Sequence, residues 1–272
     1  MINKLKKILK SSQYLYDELR HPKSIKVDWY GGDNNFGDIL NPLLIQYLTK
    51  KKVINVRSEY CDKAHMLAIG SILDRATSSS IVWGSGYISE SSIYIEKPKK
   101  IYAVRGPKTR DKLLEQGVEC PEVFGDPALL MPSFYCPELT KKYSIGILPH
   151  YVDKKNKWLD SLPEDVKIID VQNPNPLKVI DQMLECEMIA SSSLHGIIIS
   201  DAYKIPSVWI QLSENVKGGA FKFEDYFLSV GREVKTPFII KEKSTIIDLM
   251  HVAELHKIKI NLGKLLDQFP YE

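Results

Sequence analysis

The segment from Glu187 to Ile210, EMIASSSLHGIIISDAYKIPSVWI, decides the reading of this chain. Met188 to Ala190 is a short apolar run that ends in three serines, Ser191 to Ser193. Leu194, His195 and Gly196 lead into the apolar residues Ile197 to Ile199, with Ala202 and Tyr203 beyond them. Ile205-Pro206 breaks that segment, and Ser207 to Ile210 is β-rich again. Strand, loop, helix, turn and strand in this order form the unit of a parallel α/β sheet. Open α/β sheets bind ligands at the carboxyl ends of their strands, where the serine loop and His195 fall. The loop also opens a predicted helix, whose unpaired N–H groups favour an anion.

The surrounding chain supports a globular protein. Its 272 residues suffice for one large domain or two of ordinary size. Hydrophobic residues make up 44% and charged residues 26%, the proportions of a soluble fold. A net charge of +3 does not by itself imply nucleic acid. Cys61, Cys120, Cys136 and Cys186 are scattered without a CxxC pair, and the six histidines show no ligand spacing. Neither a metal site nor a disulfide framework is expected, which fits a reducing compartment. No apolar run approaches membrane-spanning length, and the N-terminus lacks the apolar core of a signal peptide. The expected location is cytoplasmic.

Upstream of the deciding segment, Tyr143 to Leu148 and Val166 to Val171 read as strands, and Pro176 to Cys186 as a helix. His150 follows the first of these strands as His195 follows its own. Nearer the N-terminus, Ser24 to Tyr30 alternates like a strand and feeds the loop Gly31 to Asp38. A helix over Ile39 to Leu48 follows, with Pro42 placed in its first turn. The loop is neither G-x-G-x-x-G nor a Walker A sequence, yet strand, Gly/Asn-rich loop and helix suit a phosphate or a sugar. Asn35 and Asp38 are its polar candidates, Asp38 equally as a helix cap. Short strands are expected at Val53 to Val56, Met66 to Gly70, Ile81 to Trp83 and Ile101 to Val104.

Arg105 stands at the carboxyl end of the last of these, with Lys108 one turn into the next helix, an arrangement suited to clamping an anion. Asp126 closes a further short strand before Pro127. Ser133 to Lys142 has the composition of a linker. Lys217 to Arg232 reads as a loop and an aromatic helix carrying Lys222, and two terminal helices begin near Ser244. No internal repeat is evident in the sequence. At the start of the chain, Ile2, Leu5, Ile8, Leu9, Leu15 and Leu19 lie opposite several lysines at helical spacing. Such a helix either docks on its own protein or lies on an anionic membrane face. The expected organisation is 1–23 as this helix, 24–138 and 139–236 as two α/β units, and 237–272 as helices bracing them.

In their order along the chain, these motifs resemble the polysaccharide pyruvyl transferase family. The matching residues are Asn35 to Asp38, Val104 to Arg110, Phe124 to Leu130, Gly146 to Tyr151, Ser191 to Gly196, Phe221 to Tyr226 and Leu265 to Pro270. The resemblance implies two Rossmann-like lobes facing across a cleft, as in GT-B glycosyltransferases. It also implies transfer of an enolpyruvyl group from phosphoenolpyruvate to a sugar of a cell-surface polysaccharide precursor, forming a cyclic ketal. His195 then maps to the general acid or base, with His150 as a second catalytic candidate. Arg105, Lys108, Ser192, Ser193, Gly196 and Lys222 are expected around the donor, and Asn35, Asp38 and Asp126 around the acceptor. Several members carry an arginine directly before the Leu-His pair, where this chain has Ser193. Its charge must then come from Arg105, Lys108 or Lys222.

No cofactor is expected beyond phosphoenolpyruvate as donor substrate. The expected partner is a lipid-linked or nucleotide-activated saccharide, with peripheral membrane contact through the N-terminal helix and no nucleic acid. Two other readings stand beside this one: a nucleotide-sugar glycosyltransferase of the same architecture, and a non-catalytic protein of glycan assembly.

Overall fold

The computed structural model describes residues 19–32 and 34–271, so the N-terminal amphipathic helix lies almost wholly outside the described residues. Strands β1 (Ile25–Asp28), β2 (Val53–Val56), β3 (His65–Leu67), β4 (Ser80–Trp83) and β5 (Lys100–Ala103) build one sheet. A second comprises β6 (Tyr143–Leu148), β7 (Val166–Ile168), β8 (Cys186–Ser191), β9 (Ser207–Gln211) and β10 (Phe238–Ile239). Every pairing within the two sheets is parallel. The first sheet is ordered β2-β1-β3-β4-β5, and the second, from its β7 edge, β7-β6-β8-β9-β10. Counted in chain order within each sheet, both follow the doubly wound order 2-1-3-4-5. The topology is repeated although the sequence is not.

Among the described residues, seven α-helices accompany the sheets: α1 (Phe36–Thr49), α2 (Pro107–Glu115), α3 (Pro176–Leu184), α4 (Leu194–Ala202), α5 (Phe221–Ser229), α6 (Ile246–Val252) and α7 (Leu262–Asp267). Helix α1 begins three residues before its expected start, because the Phe36 N–H donates to the Val171 carbonyl at 2.7 Å and anchors the first turn. Pro42 therefore sits in the second turn, where it deprives the Asp38 carbonyl of its helical donor. The Asn41 side chain replaces that donor at 3.2 Å. Helix α4 contains three consecutive β-branched isoleucines, Ile197 to Ile199, each fully buried. Burial on several sides, rather than an amphipathic stripe, holds this segment helical against its β propensity.

The other differences are at edges. The strand expected to close at Asp126 is reduced to one parallel bridge, Val104 to Phe124. Phe238–Ile239, within the segment expected to hold only helices, pairs with Ile210 and Gln211 and extends the second sheet. The linker segment has no helix or strand between residues 135 and 142. One apolar core runs from Val27, Leu40 and Leu44 near the first sheet to Ile189 and Ile198 near the second. Helix α7 returns to the first sheet, where Trp83 Nε1–H donates to the Leu265 carbonyl at 2.9 Å and Phe269 packs edge-on against the indole.

Candidate active site

In the order 2-1-3-4-5, the chain leaves the first and third strands in opposite directions, and the crevice between their carboxyl ends is the natural ligand site. Here both such crevices open on the same cleft, of about 270 Å³. Tyr30, Asn35 and Asp38 reach it from the segment after β1, and Gly70, Ser71 and Arg75 from that after β3. From the second sheet come His150 and Tyr151 after β6, and Ser193 and His195 after β8. Lys217 and Lys222 complete the wall from the start of α5 and the loop before it. A larger cavity, of about 550 Å³, lies at the amino end of β9 beside Ser207, the wrong end of a parallel sheet for this kind of site.

His195 occupies the second position of α4 and is 8% exposed. Its ring lies against Gly37 in the first turn of α1, so close that a Cβ there would stand 1.9 Å from Nδ1. Only glycine leaves room for the imidazole. On the other side, Nε2 is 3.5 Å from Oδ2 of Asp126. Asp38 also acts on this ring electrostatically. Burial raises the Asp38 carboxyl above its ordinary range, against the 2.6 Å bond from Asn35 Nδ2 and the nearby imidazole, which hold it down. The serine loop is tied by Ser191, whose hydroxyl lies in donating distance of the Ser193 carbonyl of its own loop, at 2.9 Å, and of the Leu148 carbonyl at the end of β6, at 3.2 Å, and accepts the Ser193 N–H at 3.0 Å.

Lys222 is the cleft's most buried cation, at 7% exposure, with Nζ donating to the Lys217 carbonyl at 3.0 Å. Burial, and then the Arg105 charge, pushes its pKa down to about 8. His150 is pushed down to about 4, by burial and then by Lys222. It is therefore neutral at pH 7 and can accept or donate a hydrogen bond, but it supplies no imidazolium. Its folded pKa lies below the unfolded value of 6.5, so the unfolded chain binds the extra proton and stability falls as pH drops from about 6.5 toward 4. We expect His150→Gln to flatten that part of the acid limb in urea melts taken at successive pH values. An unchanged slope would show that His150 is not the group responsible.

The sequence of residues 3–214 matches the model of the polysaccharide pyruvyl transferase family. The chain belongs to that family. It is 32% identical over 221 residues to an uncharacterised protein of Acanthamoeba polyphaga mimivirus, covering 78% of this chain and 77% of the relative. It is 28% identical over 214 residues to the succinoglycan biosynthesis protein ExoV of Rhizobium meliloti, covering 75% of this chain and 64% of ExoV. A solved structure of an uncharacterised Klebsiella pneumoniae protein aligns over 85% of this chain and 98% of its own, with 12% identity and a TM-score of 0.48.

Within this pyruvyl transferase family member, several expected site residues stand elsewhere. Arg105 is fully buried: Nε donates to Asp225 at 3.0 Å, Nη1 to the Ser71 hydroxyl and Nη2 to the Tyr87 carbonyl. Its guanidinium lies behind the cleft wall and reaches the cleft only through Ser71. The Arg-Gly-Pro-x-Thr and aromatic-helix motifs are thus one lock. Thr109 gives its N–H and hydroxyl to the same Asp225, and a Cβ on Gly106 would lie 1.9 Å from the Asp225 carbonyl oxygen. Lys108 is outside the cleft, paired with Glu224 at 2.5 Å and lying over the Phe221 ring.

Gly196 packs against Ser191, 2.2 Å from where its Cβ would be, and contacts no cleft space. The Ser192 hydroxyl accepts the His150 N–H at 2.8 Å and faces an adjoining cavity. Asp126 is fully buried and does not line the cleft. Conversely, Tyr30, Ser71, Arg75 and Lys217 line it although their local sequence does not mark them as site residues, and Tyr151 lines it as the last residue of the Gly146 to Tyr151 motif. Among the described residues no three His, Cys, Asp or Glu side chains converge as a metal set, and no helix is long and apolar enough to cross a membrane.

Proposed function

We propose that this protein transfers the pyruvyl unit of phosphoenolpyruvate to two hydroxyls of one sugar as a cyclic ketal, in a cleft between two Rossmann-like, GT-B-like lobes. The observation that carries the reading is the meeting, in one small cleft, of an imidazole, His195, with the cations Lys222 and Arg75. Arg75 shares its charge with Asp28 at 3.1 Å, so Lys222 is the stronger donor contact. Lys222 takes over the charge that an arginine at position 193 carries in other members, while Ser193 offers its hydroxyl beside it. ExoV, by its name a succinoglycan biosynthesis protein, favours a precursor of an exported polysaccharide as acceptor.

Ketal formation requires a proton on the methylene carbon, which becomes a methyl group and leaves an oxocarbenium-like centre at C2. One sugar hydroxyl adds there, phosphate departs, and the second hydroxyl closes the ring. Of the two hydroxyl protons, one is accounted for by the new methyl group and the other leaves with phosphate. His195 is the group placed to relay them, Lys222 and Arg75 hold the carboxylate and phosphate, and Asn35 and Asp38 receive the acceptor hydroxyls. No further cofactor enters this scheme. The acceptor is a lipid-linked or nucleotide-activated saccharide, and the protein works at the cytoplasmic side, with the basic N-terminal segment helping it to a membrane face.

Phosphate release from phosphoenolpyruvate in the presence of sugar acceptors tests this directly. Release of nucleoside diphosphate from a nucleotide sugar instead, or of neither product, would replace it with one of the two other readings. Lys222→Met is expected to raise KM for phosphoenolpyruvate about 10- to 100-fold, the loss of one charge-assisted hydrogen bond. Because its proton leaves as pH rises through about 8, donor KM should climb on that alkaline limb in the wild type and not in the variant. A KM independent of both changes would remove Lys222 from the donor site.

A further inference from the structure

The geometry points to Asp126 as a positioning residue for His195, one that keeps the Nε2 proton turned inward and leaves Nδ1 as the nitrogen with the lone pair. Oδ1 of Asp126 accepts the Ala128 N–H at 3.0 Å and caps the 3₁₀ turn Pro127–Ser133, which fixes the carboxylate in place. Oδ2 makes no hydrogen bond and is sealed from solvent, and the same is true of His195 Nε2. These two unpartnered atoms stand 3.5 Å apart. A carboxylate only accepts, so they pair only if Nε2 carries the proton. Nδ1 is then unprotonated, on the edge of the ring that faces Gly37 and the start of α1.

The neighbours are consistent with this division. Asp38 reaches the ring from α1 and belongs to the cleft, whereas Asp126 does not line it. The Tyr226 hydroxyl, from α5, donates to Asp201 at 2.8 Å and so does not compete for Asp126. A carboxylate behind an imidazole fixes both its tautomer and its orientation, and so decides which nitrogen meets the substrate. Asp126 follows β5 in the chain, and His195 opens α4 after β8. The nitrogen left with the lone pair is thus defined only when the segments around both sheets are assembled.

The consequence for rate rests on the pyruvyl-transfer reading; the tautomer does not. The test is nitrogen-15 NMR of histidine-labelled full-length protein without substrate, with the His195 signals assigned by their loss in His195→Gln. In the wild type the proton is expected on Nε2, and a proton on Nδ1 would overturn the proposal without any variant. Asp126→Asn retains an oxygen for the Ala128 N–H and exchanges the anionic acceptor for an amide that can offer an N–H to Nε2. We expect it to shift the tautomer toward protonated Nδ1. For phosphoenolpyruvate-dependent phosphate release, kcat should fall about 10²- to 10⁴-fold with KM for phosphoenolpyruvate within a few-fold. An unchanged tautomer, or an unchanged kcat, in a folded variant would overturn it. If the tautomer responds but the wild type releases no phosphate, the positioning of His195 stands and the pyruvyl-transfer reading falls.

Discussion

His195→Gln is expected to lower kcat for pyruvyl transfer by about 10²- to 10⁴-fold while leaving the affinity for phosphoenolpyruvate within a few-fold. Carbon protonation and hydroxyl deprotonation need a group that can carry a proton both ways near neutral pH, and glutamine cannot. The charges proposed to hold the donor, Lys222 and Arg75, line the same cleft and are left in place by the substitution. Glutamine is also no bulkier than histidine, so it enters the slot against Gly37 without displacing α1. Steady-state kinetics for kcat and KM, with thermal shift by phosphoenolpyruvate as an independent measure of binding, separate the two effects. A variant that retained kcat would place the proton transfer elsewhere.

Arg105→Met is expected to act on the fold, destabilising it by about 3–5 kcal/mol, the cost of leaving one member of a buried ion pair without its partner. Asp225 is fully buried and gathers Arg105 Nε at 3.0 Å, the Thr109 hydroxyl at 2.7 Å and the Thr109 N–H at 2.9 Å. Removing the guanidinium also leaves the Tyr87 carbonyl and the Ser71 hydroxyl without this donor. Methionine fills much of the space but supplies no charge. A fall in the denaturant midpoint at unchanged m-value would report the loss. An anion clamp predicts another pattern, with donor KM raised and stability hardly altered. Observing that pattern would return Arg105 to the donor site.

These two residues mark the limits of what a linear reading reaches. Both stand in short motifs at strand ends, which is what makes each a site candidate in the sequence. His195 lines the cleft because the segment after β8 enters it. Arg105 turns inward because Asp225, 120 residues later, is there to receive it. The partner, not the motif, sets the role. Lys108 followed the same course, drawn to Glu224 on the surface. Lys222 is legible in the sequence as one of three cations that could replace the missing arginine, with nothing to choose among them, and Arg75 carries no local signal at all. Their place in the cleft comes from the crevices of two sheets opening on one space.

By itself, the sequence determined the class of the fold, since short β-rich runs alternating with helical periods admit few structures other than parallel α/β sheets. It also placed His195, His150, Asn35 and Asp38 at carboxyl strand ends, because strand and helix periods are local properties of the chain. Tertiary structure alone decided which charged groups face the cleft and which neutralise one another beneath it. It also decided that one strand order is used twice and that Gly37 must lack a side chain. Those outcomes depend on side chains far apart in sequence competing for the same buried volume and the same counter-charge, and no residue carries that information in its own neighbourhood.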